Sequence, residues 1–410
     1  MNVGTVWSKF QDMGLRNKLA IVVGVLALPV FALLVLQYTD RSRDILLAED
    51  QSSGLAYLKE GPVPVLQQIQ RHRLLEAAVR SGETSLAGQL QQSTAALDEA
   101  VTRYARFEKD HGGYKTADFV AKLESQWGAL RDSREATTAD GVISAHNRMV
   151  DESIFPILFQ AGNSSRLYLD SNLTTFDTIV GTSQDLMNQN EAVSRAAAYG
   201  ALVASRLGNG QAVGALLRGE RGELTSQLKA AETTADSTSR WLEGALSRDT
   251  RYESALRQPL LASTGATSIF LAKAANLADG PTSAFDTAAV VTAATKATDA
   301  NYALFNAGFN LVGSDLDQRQ SDKTAGLALT MGLSAAAFAV AILLAWLVSQ
   351  SITRPIAHLV AVADKMSLGD LDSEIDVRGN NEIGQLADSL RRMQTSLKGA
   401  IERLRTRRAA

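Results

Sequence analysis

Residues 351–404 read SITRPIAHLVAVADKMSLGDLDSEIDVRGNNEIGQLADSLRRMQTSLKGAIERL and contain two helical patterns with a polar connector between them. Pro355 lies just inside the start of the first pattern, where the missing N–H of proline costs little. In the second pattern apolar residues recur at intervals of three and four, at Ile383, Leu386, Leu390, Met393, Leu397, Ile401 and Leu404. A stripe this narrow is typical of a coiled-coil seam rather than a globular core, so it predicts that these helices pack against partner helices.

Residues 352–404 resemble a HAMP domain, a helix–connector–helix module that follows a membrane span. Three motifs carry the resemblance: Pro355 in the first helix, Gly369-Asp370-Leu371 in the connector, and Glu382-Ile383-Gly384 at the start of the second helix. Asn381 departs from the family pattern, which usually has Asp before that Glu. Family members form a parallel four-helix coiled coil from two subunits, so the resemblance implies a homodimer. An ordinary helical hairpin near the membrane is the alternative.

The resemblance also implies roles for individual residues. In such domains the proline, here Pro355, shapes the junction with the membrane helix, and the glutamate, here Glu382, tethers the second helix to the first. The residues expected to take part in signalling are Pro355, Gly369, Leu371, Glu382, Ile383, Leu386 and Leu390.

Two apolar segments predict membrane spans. Residues 19–39 contain no charged side chain, and the second span, 324–351, lies in an uncharged stretch that extends to residue 353. About 20 apolar residues cross the hydrocarbon core as a helix, so both segments are long enough. The alternative for the first is a cleaved signal peptide, which the long apolar run and the lack of a small-residue cleavage site do not favour.

The charges that flank these segments predict the orientation. Residues 1–18 carry three basic residues and one acidic residue, and residues 354–410 carry ten basic and eight acidic residues. Positively charged flanks stay in the cytoplasm. We therefore expect both termini to be cytoplasmic and residues 40–323 to lie in the periplasm, with the chain in a bacterial inner membrane.

The composition excludes several classes of protein. The 410 residues carry a net charge of -3, include no Cys, and include only four His, at positions 72, 111, 146 and 358. The absence of Cys excludes disulfides and thiolate metal sites, and the balanced charge does not favour a nucleic-acid binder. Four His do not favour a multi-histidine metal site, so we predict neither a metal nor a cofactor.

Residues 40–323 read as helices from end to end. Apolar residues recur at helical spacing, for example at Phe119, Leu123, Trp127 and Leu130, and no stretch alternates with a period of two. The fold class predicted is all-α, with one or two elongated helical bundles outside the membrane. The first outer helix, about 40–60, and the last, about 283–323, should each continue into a membrane span.

Three pieces of this segment resemble the helical sensory domains of proteobacterial methyl-accepting chemotaxis proteins. They are QQIQRHRLLEAAV at 67–79, SSRLYLDSNLTTFDTIV at 164–180 and RAAAYGALVASRL at 195–207. The set is also similar to the nitrate- and nitrite-sensing helical domain, whose ligand is an anion held by arginines. The resemblance implies a small-molecule or anion ligand.

Arginines in these pieces are the candidate ligand-binding residues, because the planar guanidinium binds oxyanions in a bidentate way. The candidates are Arg71, Arg73, Arg166, Arg195 and Arg206. The alternative for each is a solvated helix face or a partner four residues away on the same helix. Asp170 and Asn172 are predicted to cap a helix rather than to bind a ligand.

Residues after the second helix provide no output module in this sequence. A basic tail, 405–410, reads as a solvated helix end or as a lipid contact. His358 lies inside the first HAMP-like helix and is not a credible phosphorylation site, and no phosphate-binding loop or catalytic set is present, so we do not expect an enzyme.

The leading hypothesis is a dimeric, two-span signalling receptor that passes a periplasmic signal through HAMP to a separate cytoplasmic protein. Two alternatives stay open. One is a membrane-anchored dimeric adaptor or structural protein that binds a partner protein, and the other is the front part of a longer chemoreceptor or histidine kinase.

Overall fold

The computed structural model of the chain describes residues 15–133, 138–208, 215–279 and 287–409. Within these ranges every regular element is helical and no strand occurs, which confirms the predicted all-α fold class. The chain divides into two units. One is Asp44–Lys323, and the other comprises residues up to Arg43 together with those from Thr324 onward.

Thirteen α-helices are described. They are α1 Leu15–Glu60, α2 Pro62–Arg80, α3 Ala87–His111, α4 Ala117–Ser133, α5 Ala139–Met149, α6 Phe155–Ser164, α7 Leu173–Val180, α8 Leu186–Gly208, α9 Ala215–Arg248, α10 Thr250–Asp279, α11 Thr287–Val348, α12 Arg354–Ser367 and α13 Glu382–Ala409. Single π-helical turns follow α5, α7 and α11, at Val150–Ile154, Gly181–Asp185 and Ser349–Thr353. Short 3₁₀ turns lie at Thr84–Leu86 and Leu167–Leu169.

The unit Asp44–Lys323 contains two apolar core clusters. The first is rich in large side chains and includes Trp127, Phe305 and Phe309. The second is built mainly from alanines of α2, α8 and α11 around Phe270. Alanine side chains are small, so they allow the helices of the second cluster to pack closely.

Helix α2 is the central helix of this unit and positions the polar site described below. It packs against α3, α5 and α8, and its start follows Gly61 with a proline in its first turn, where proline fits. Apolar residues on several sides of α2 are buried, and so are four polar ones, Gln70, His72, Arg73 and Glu76. A buried polar group requires a hydrogen-bond partner, so neighbouring helices must supply polar side chains to this one.

Side-chain capping explains where two further helices begin. The Asn172 carboxamide oxygen accepts hydrogen bonds from the backbone N–H groups of Thr174 and Thr175, which confirms the predicted cap at the start of α7. Asp170 instead accepts from the Asn172 backbone N–H and forms an ion pair with Arg319 at 3.0 Å. Thr138 caps α5 by accepting from the N–H of Gly141.

One helical stretch among the described residues, Thr287–Ser367, includes a segment long and apolar enough to cross a membrane. The second predicted span, 324–351, lies within it. The first predicted span, 19–39, lies in α1, and several of its side chains fall outside the described residues. The two-span arrangement therefore stays a prediction.

Candidate functional site

Arg73 is the centre of a polar network in the Asp44–Lys323 unit. Its side chain is completely buried on α2. Its two terminal nitrogens donate to the two carboxylate oxygens of Glu191 on α8, at 2.7 and 3.0 Å, in the bidentate geometry that suits a guanidinium. The same nitrogens donate to Asn147 Oδ1 at 2.7 Å and to Ser194 Oγ at 2.8 Å. The charge of Arg73 is therefore balanced by a residue of the protein itself.

Glu191 collects several donors on one carboxylate. Besides Arg73, the Nε of Arg195 donates to Oε1 at 2.6 Å and the Nε2 of Gln70 donates to Oε2 at 3.0 Å. Burial alone would raise the pKa of Glu191, but the charges and hydrogen bonds of Arg73 and Arg195 hold the pKa below its ordinary value. Glu191 is consequently an ionised carboxylate at neutral pH.

Arg195 connects this network to the surface. Its Nη2 donates to Asp151 Oδ1, in the π-helical turn after α5, at 2.6 Å. The two predicted ligand-binding residues Arg73 and Arg195 thus meet on a single carboxylate. The resemblance of these sequence pieces to known sensory helices did not indicate that Glu191 and Asp151 are the partners of the two arginines.

Arg71 lies beside this network and lines a small cavity between α2, α8 and α11. The cavity has a volume of about 20 Å³ and is lined by Gln67, Gln70, Arg71, Leu74, Ser194, Thr295, Thr298, Asp299 and Tyr302. By this measure it holds about one water molecule. Burial raises the pKa of Asp299, and the charge of Arg71 opposes that increase.

Tyr302 links the cavity to the buried network and to α11. Its hydroxyl donates to Gln70 Oε1 at 2.8 Å, while the other end of the same carboxamide donates to Glu191. A continuous hydrogen-bonded path therefore runs from α11 through Gln70 on α2 to Glu191 on α8. Any change in the packing of these three helices alters this path.

Of the two remaining candidate arginines, Arg166 does not join this cluster. Arg166 has a positive φ of 56° at the turn after α6 and forms an ion pair with Asp50 at 3.5 Å. Arg206 belongs to α8, but its side chain lies outside the described residues. A ligand-binding role for the five arginines stays a prediction.

The second site of interest is the module formed by α12, the connector 368–381 and α13. Its small core contains Leu359, Val362 and Met366 of α12, Leu371 and Ile375 of the connector, and Ala387 of α13. Of the residues expected to signal, Leu371 is buried in this core, and Ile383 and Leu390 pack against it. Gly369 has a φ of +94°, which favours glycine over any residue with a side chain.

Side chains of α13 hold the connector through its backbone. Gln394 Nε2 donates to the carbonyl oxygens of Leu371 and Ser373 at 3.0 and 2.8 Å, and Arg391 donates to that of Val377 at 2.6 Å. Pro355 occupies the first turn of α12, and Glu382 lies in the first turn of α13, where a negative charge is favourable. The tethering role of Glu382 stays a prediction.

The predicted seam of α13 is only partly covered within one chain. Leu386, Met393, Leu397 and Ile401 are between 41% and 49% exposed. Such a spacing of half-exposed apolar residues is typical of a surface that packs against another helix.

Comparison with known proteins identifies the class of this module. A family model described as "HAMP domain" matches residues 347–399. The HAMP resemblance is therefore confirmed, and the chain contains a module of the signal-transducing type.

Similarity to curated proteins points in the same direction. The methyl-accepting chemotaxis protein McpA of Bacillus subtilis is 37% identical over 75 residues, which are 18% of this chain and 11% of McpA. The methyl-accepting chemotaxis protein CtpH of Pseudomonas aeruginosa is 32% identical over 95 residues, which are 22% of this chain and 17% of CtpH. The chain thus spans less than a fifth of these relatives in the alignments, and no solved structure matches it. These findings support a chemoreceptor-like, signal-transducing protein.

Proposed function

We propose that the chain is a dimeric receptor of a bacterial inner membrane that senses a periplasmic signal in residues 40–323. Its HAMP domain passes the signal to a separate cytoplasmic signalling protein. The observation that carries this proposal is that one uninterrupted helix, α11, supplies Tyr302 to the polar network and extends to Val348. The HAMP match begins at residue 347, at the end of that same helix.

The ligand proposed is a small anion that binds beside Arg71. Arg71 supplies a guanidinium at the edge of the cavity, and the Gln67 carboxamide supplies neutral donors. Asp299 would repel an anion unless it is protonated, and the burial that raises its pKa favours that form.

The size of the cavity explains how binding would become a signal. A cavity with space for one water molecule cannot hold a nitrate or a carboxylate. Such a ligand would bind only to a conformation in which α2, α8 and α11 lie further apart. A ligand shifts an equilibrium by its difference in affinity between two states. Ligand binding would therefore favour the more open packing and displace α11.

A thermal-shift measurement on the detergent-solubilised full chain tests this function. We expect nitrate, nitrite or a small carboxylate to raise the apparent Tm of the wild type, because a ligand at 100 times its Kd stabilises by about 2.7 kcal/mol. Arg71→Gln should abolish the shift. Arg103→Gln should retain it, because Arg103 is an exposed arginine on α3 that pairs with its own helix neighbour Glu99. Equal shifts in wild type and Arg71→Gln would contradict the site.

The adaptor alternative is favoured by one observation. Arg73 and Arg195 are already paired with carboxylates of the protein, and the cavity beside them is small. If the chain is an adaptor, the network serves to hold the bundle together. No small anion then shifts the Tm of the wild type, of Arg71→Gln or of Arg103→Gln. A partner protein would instead remain bound to residues 40–323 during purification.

A further inference from the structure

Two of the four histidines meet in the interior of the Asp44–Lys323 unit. His72 on α2 and His146 on α5 are both buried, and His72 Nδ1 lies 2.8 Å from His146 Nε2. Glu76 follows His72 by four residues on the same face of α2, and its Oε2 lies 3.5 Å from His72 Nδ1. One ligand atom from each of the three residues lies within 4.8 Å of the others.

We propose that His72, Glu76 and His146 bind a first-row divalent transition metal ion, and that Zn²⁺ fits the site best. Two imidazole nitrogens and one carboxylate oxygen form a ligand set that Zn²⁺ accepts, with a fourth position left for water. Mg²⁺ and Ca²⁺ prefer sets made entirely of oxygen. The small number of histidines in the sequence did not favour a metal site. His72 and His146 are 74 positions apart, so the sequence alone does not show that they meet.

Two of the three distances lie near those of tetrahedral coordination, whereas the ligand atoms of His146 and Glu76, which lie within 4.8 Å of each other, would move closer together on binding. Bonds of about 2.0–2.1 Å place neighbouring ligand atoms about 3.3 Å apart. The pair His72 Nδ1 and Glu76 Oε2, at 3.5 Å, already has this separation. The two histidine nitrogens, at 2.8 Å, would separate by about half an ångström.

The atoms of each residue that point away from the metal already have partners of the correct kind. His146 Nδ1 lies 2.8 Å from the Val142 carbonyl oxygen, which can only accept, so this nitrogen carries the proton and Nε2 keeps its lone pair. Ligating histidines characteristically donate their other N–H to such a carbonyl.

His72 and Glu76 show the same arrangement. When His72 Nδ1 binds metal, its proton resides on Nε2, which donates to Thr94 Oγ1 at 3.1 Å, and Thr94 donates to the Leu90 carbonyl oxygen at 2.9 Å. Glu76 Oε1 accepts from Arg80 at 3.0 Å, so its other oxygen faces the histidines. A metal at this position would keep the contacts of His146 Nδ1, His72 Nε2 and Glu76 Oε1, and it would replace the hydrogen bond between His72 Nδ1 and His146 Nε2.

This proposal is independent of the anion site at Arg71. The metal joins α2 to α5, whereas the cavity lies between α2, α8 and α11. A failure of one site therefore leaves the other untouched. Arg73 lies close to the metal position, but Glu191 already neutralises its charge.

Metal titration of the full chain in detergent tests the proposal. After treatment with a chelator, the wild type should bind one Zn²⁺ per chain in a competition assay with a chromogenic chelator, and Co²⁺ in its place should give the visible bands of a tetrahedral site. Loss of an outer-shell partner costs about 10–100-fold in affinity, so Thr94→Val should fall in that range. His146→Gln should cost more.

His111→Gln is the matched control, because His111 is an exposed histidine at the end of α3 and should leave the affinity unchanged. Circular dichroism of the metal-free variants checks that each folds. If His146→Gln does not fold, Glu76→Gln replaces it, with the same expected loss of Zn²⁺ and of the Co²⁺ bands. A wild type that binds no Zn²⁺, or a folded variant of His146 or Glu76 that binds as tightly as the wild type, would overturn the proposal.

Discussion

Arg73 and Glu191 form an ion pair in which both side chains are buried. Substituting one partner should therefore affect stability differently from substituting both. Removing one partner leaves the other charge buried without compensation, which costs about 3–5 kcal/mol. Glu191→Gln keeps the shape of the side chain and removes only its charge. We therefore predict that Glu191→Gln lowers the apparent Tm of the full chain strongly.

The double variant Arg73→Met with Glu191→Leu is the control. Replacing a buried ion pair by apolar residues of similar size is often neutral or stabilising, so the double variant should melt above Glu191→Gln alone. A double variant that melts below the single one would show that the pair contributes net stability, contrary to this interpretation.

Gly384 illustrates a second requirement at the scale of one residue. A Cβ at this position would overlap the carbonyl oxygen of Gly379, where the connector turns into α13. Gly384→Ala must therefore displace backbone, at a cost of about 1–3 kcal/mol. We predict that it loosens the connector and speeds tryptic cleavage after the exposed Arg378.

Gly399→Ala serves as the comparison, because among the described residues no atom outside the local helix backbone lies within 4 Å of a Cβ there, and both glycines belong to α13. Its cleavage rate should equal that of the wild type. Equal rates for Gly384→Ala and Gly399→Ala would show that the contact with Gly379 does not hold the connector.

The residues of the site could be predicted only in part from the sequence. The arginines stand out because their pieces resemble known sensory helices, and two of them do meet. Glu191 could not be predicted as their partner, since it lies 118 residues beyond Arg73 and a carboxylate on a helix reads equally well as a solvated residue. The burial that forces the pairing is a property of the packed bundle.

Among the helices, the narrow stripe of α13 carries a specific prediction. The chain has no Cys. A single introduced cysteine can therefore form a disulfide only with the same cysteine of a second chain. If α13 pairs in a parallel dimer, Leu397→Cys should form a symmetric disulfide in membranes under mild oxidation. Thr395→Cys, on the opposite face of the same exposed turn, should form far less.

Comparable cross-linking at both positions, or none at Leu397, would contradict a seam on this face. The half-exposure of Leu397 and Ile401 in one chain is what motivates the test.

Helix boundaries were predictable where the chain carries a strong local signal. The second HAMP helix was expected to begin at Glu382 and does so. The first outer helix was expected to end at about residue 60, and α1 ends at Glu60. The π-helical turns at Val150–Ile154 and Gly181–Asp185 could not be predicted. They insert a residue into a continuing helix without a Gly–Pro signal, and their position depends on packing against neighbouring helices.

At the scale of the molecule, the proposal depends on helix α11. Lys59 donates to Asn310 at 2.6 Å and Ser52 donates to Asp317 at 3.1 Å, so α1 and α11 are linked by side chains within the Asp44–Lys323 unit. Beyond Lys323 the same helix becomes apolar and exposed, as Leu329 and Leu333 show. An exposed run of about 20 predominantly apolar residues on one helix is the pattern expected where that helix crosses lipid.

The most direct test asks whether the Asp44–Lys323 unit and the HAMP domain lie on opposite sides of a membrane. Thr233→Cys and Thr395→Cys are a matched pair, since both residues are exposed and both hydroxyls bond the carbonyl four residues earlier. In cells with a permeable outer membrane and an intact inner membrane, an impermeant maleimide should label Thr233→Cys and should label Thr395→Cys only after the inner membrane is opened. Labelling of both variants before the inner membrane is opened, or of Thr395→Cys alone, would contradict the proposed receptor topology.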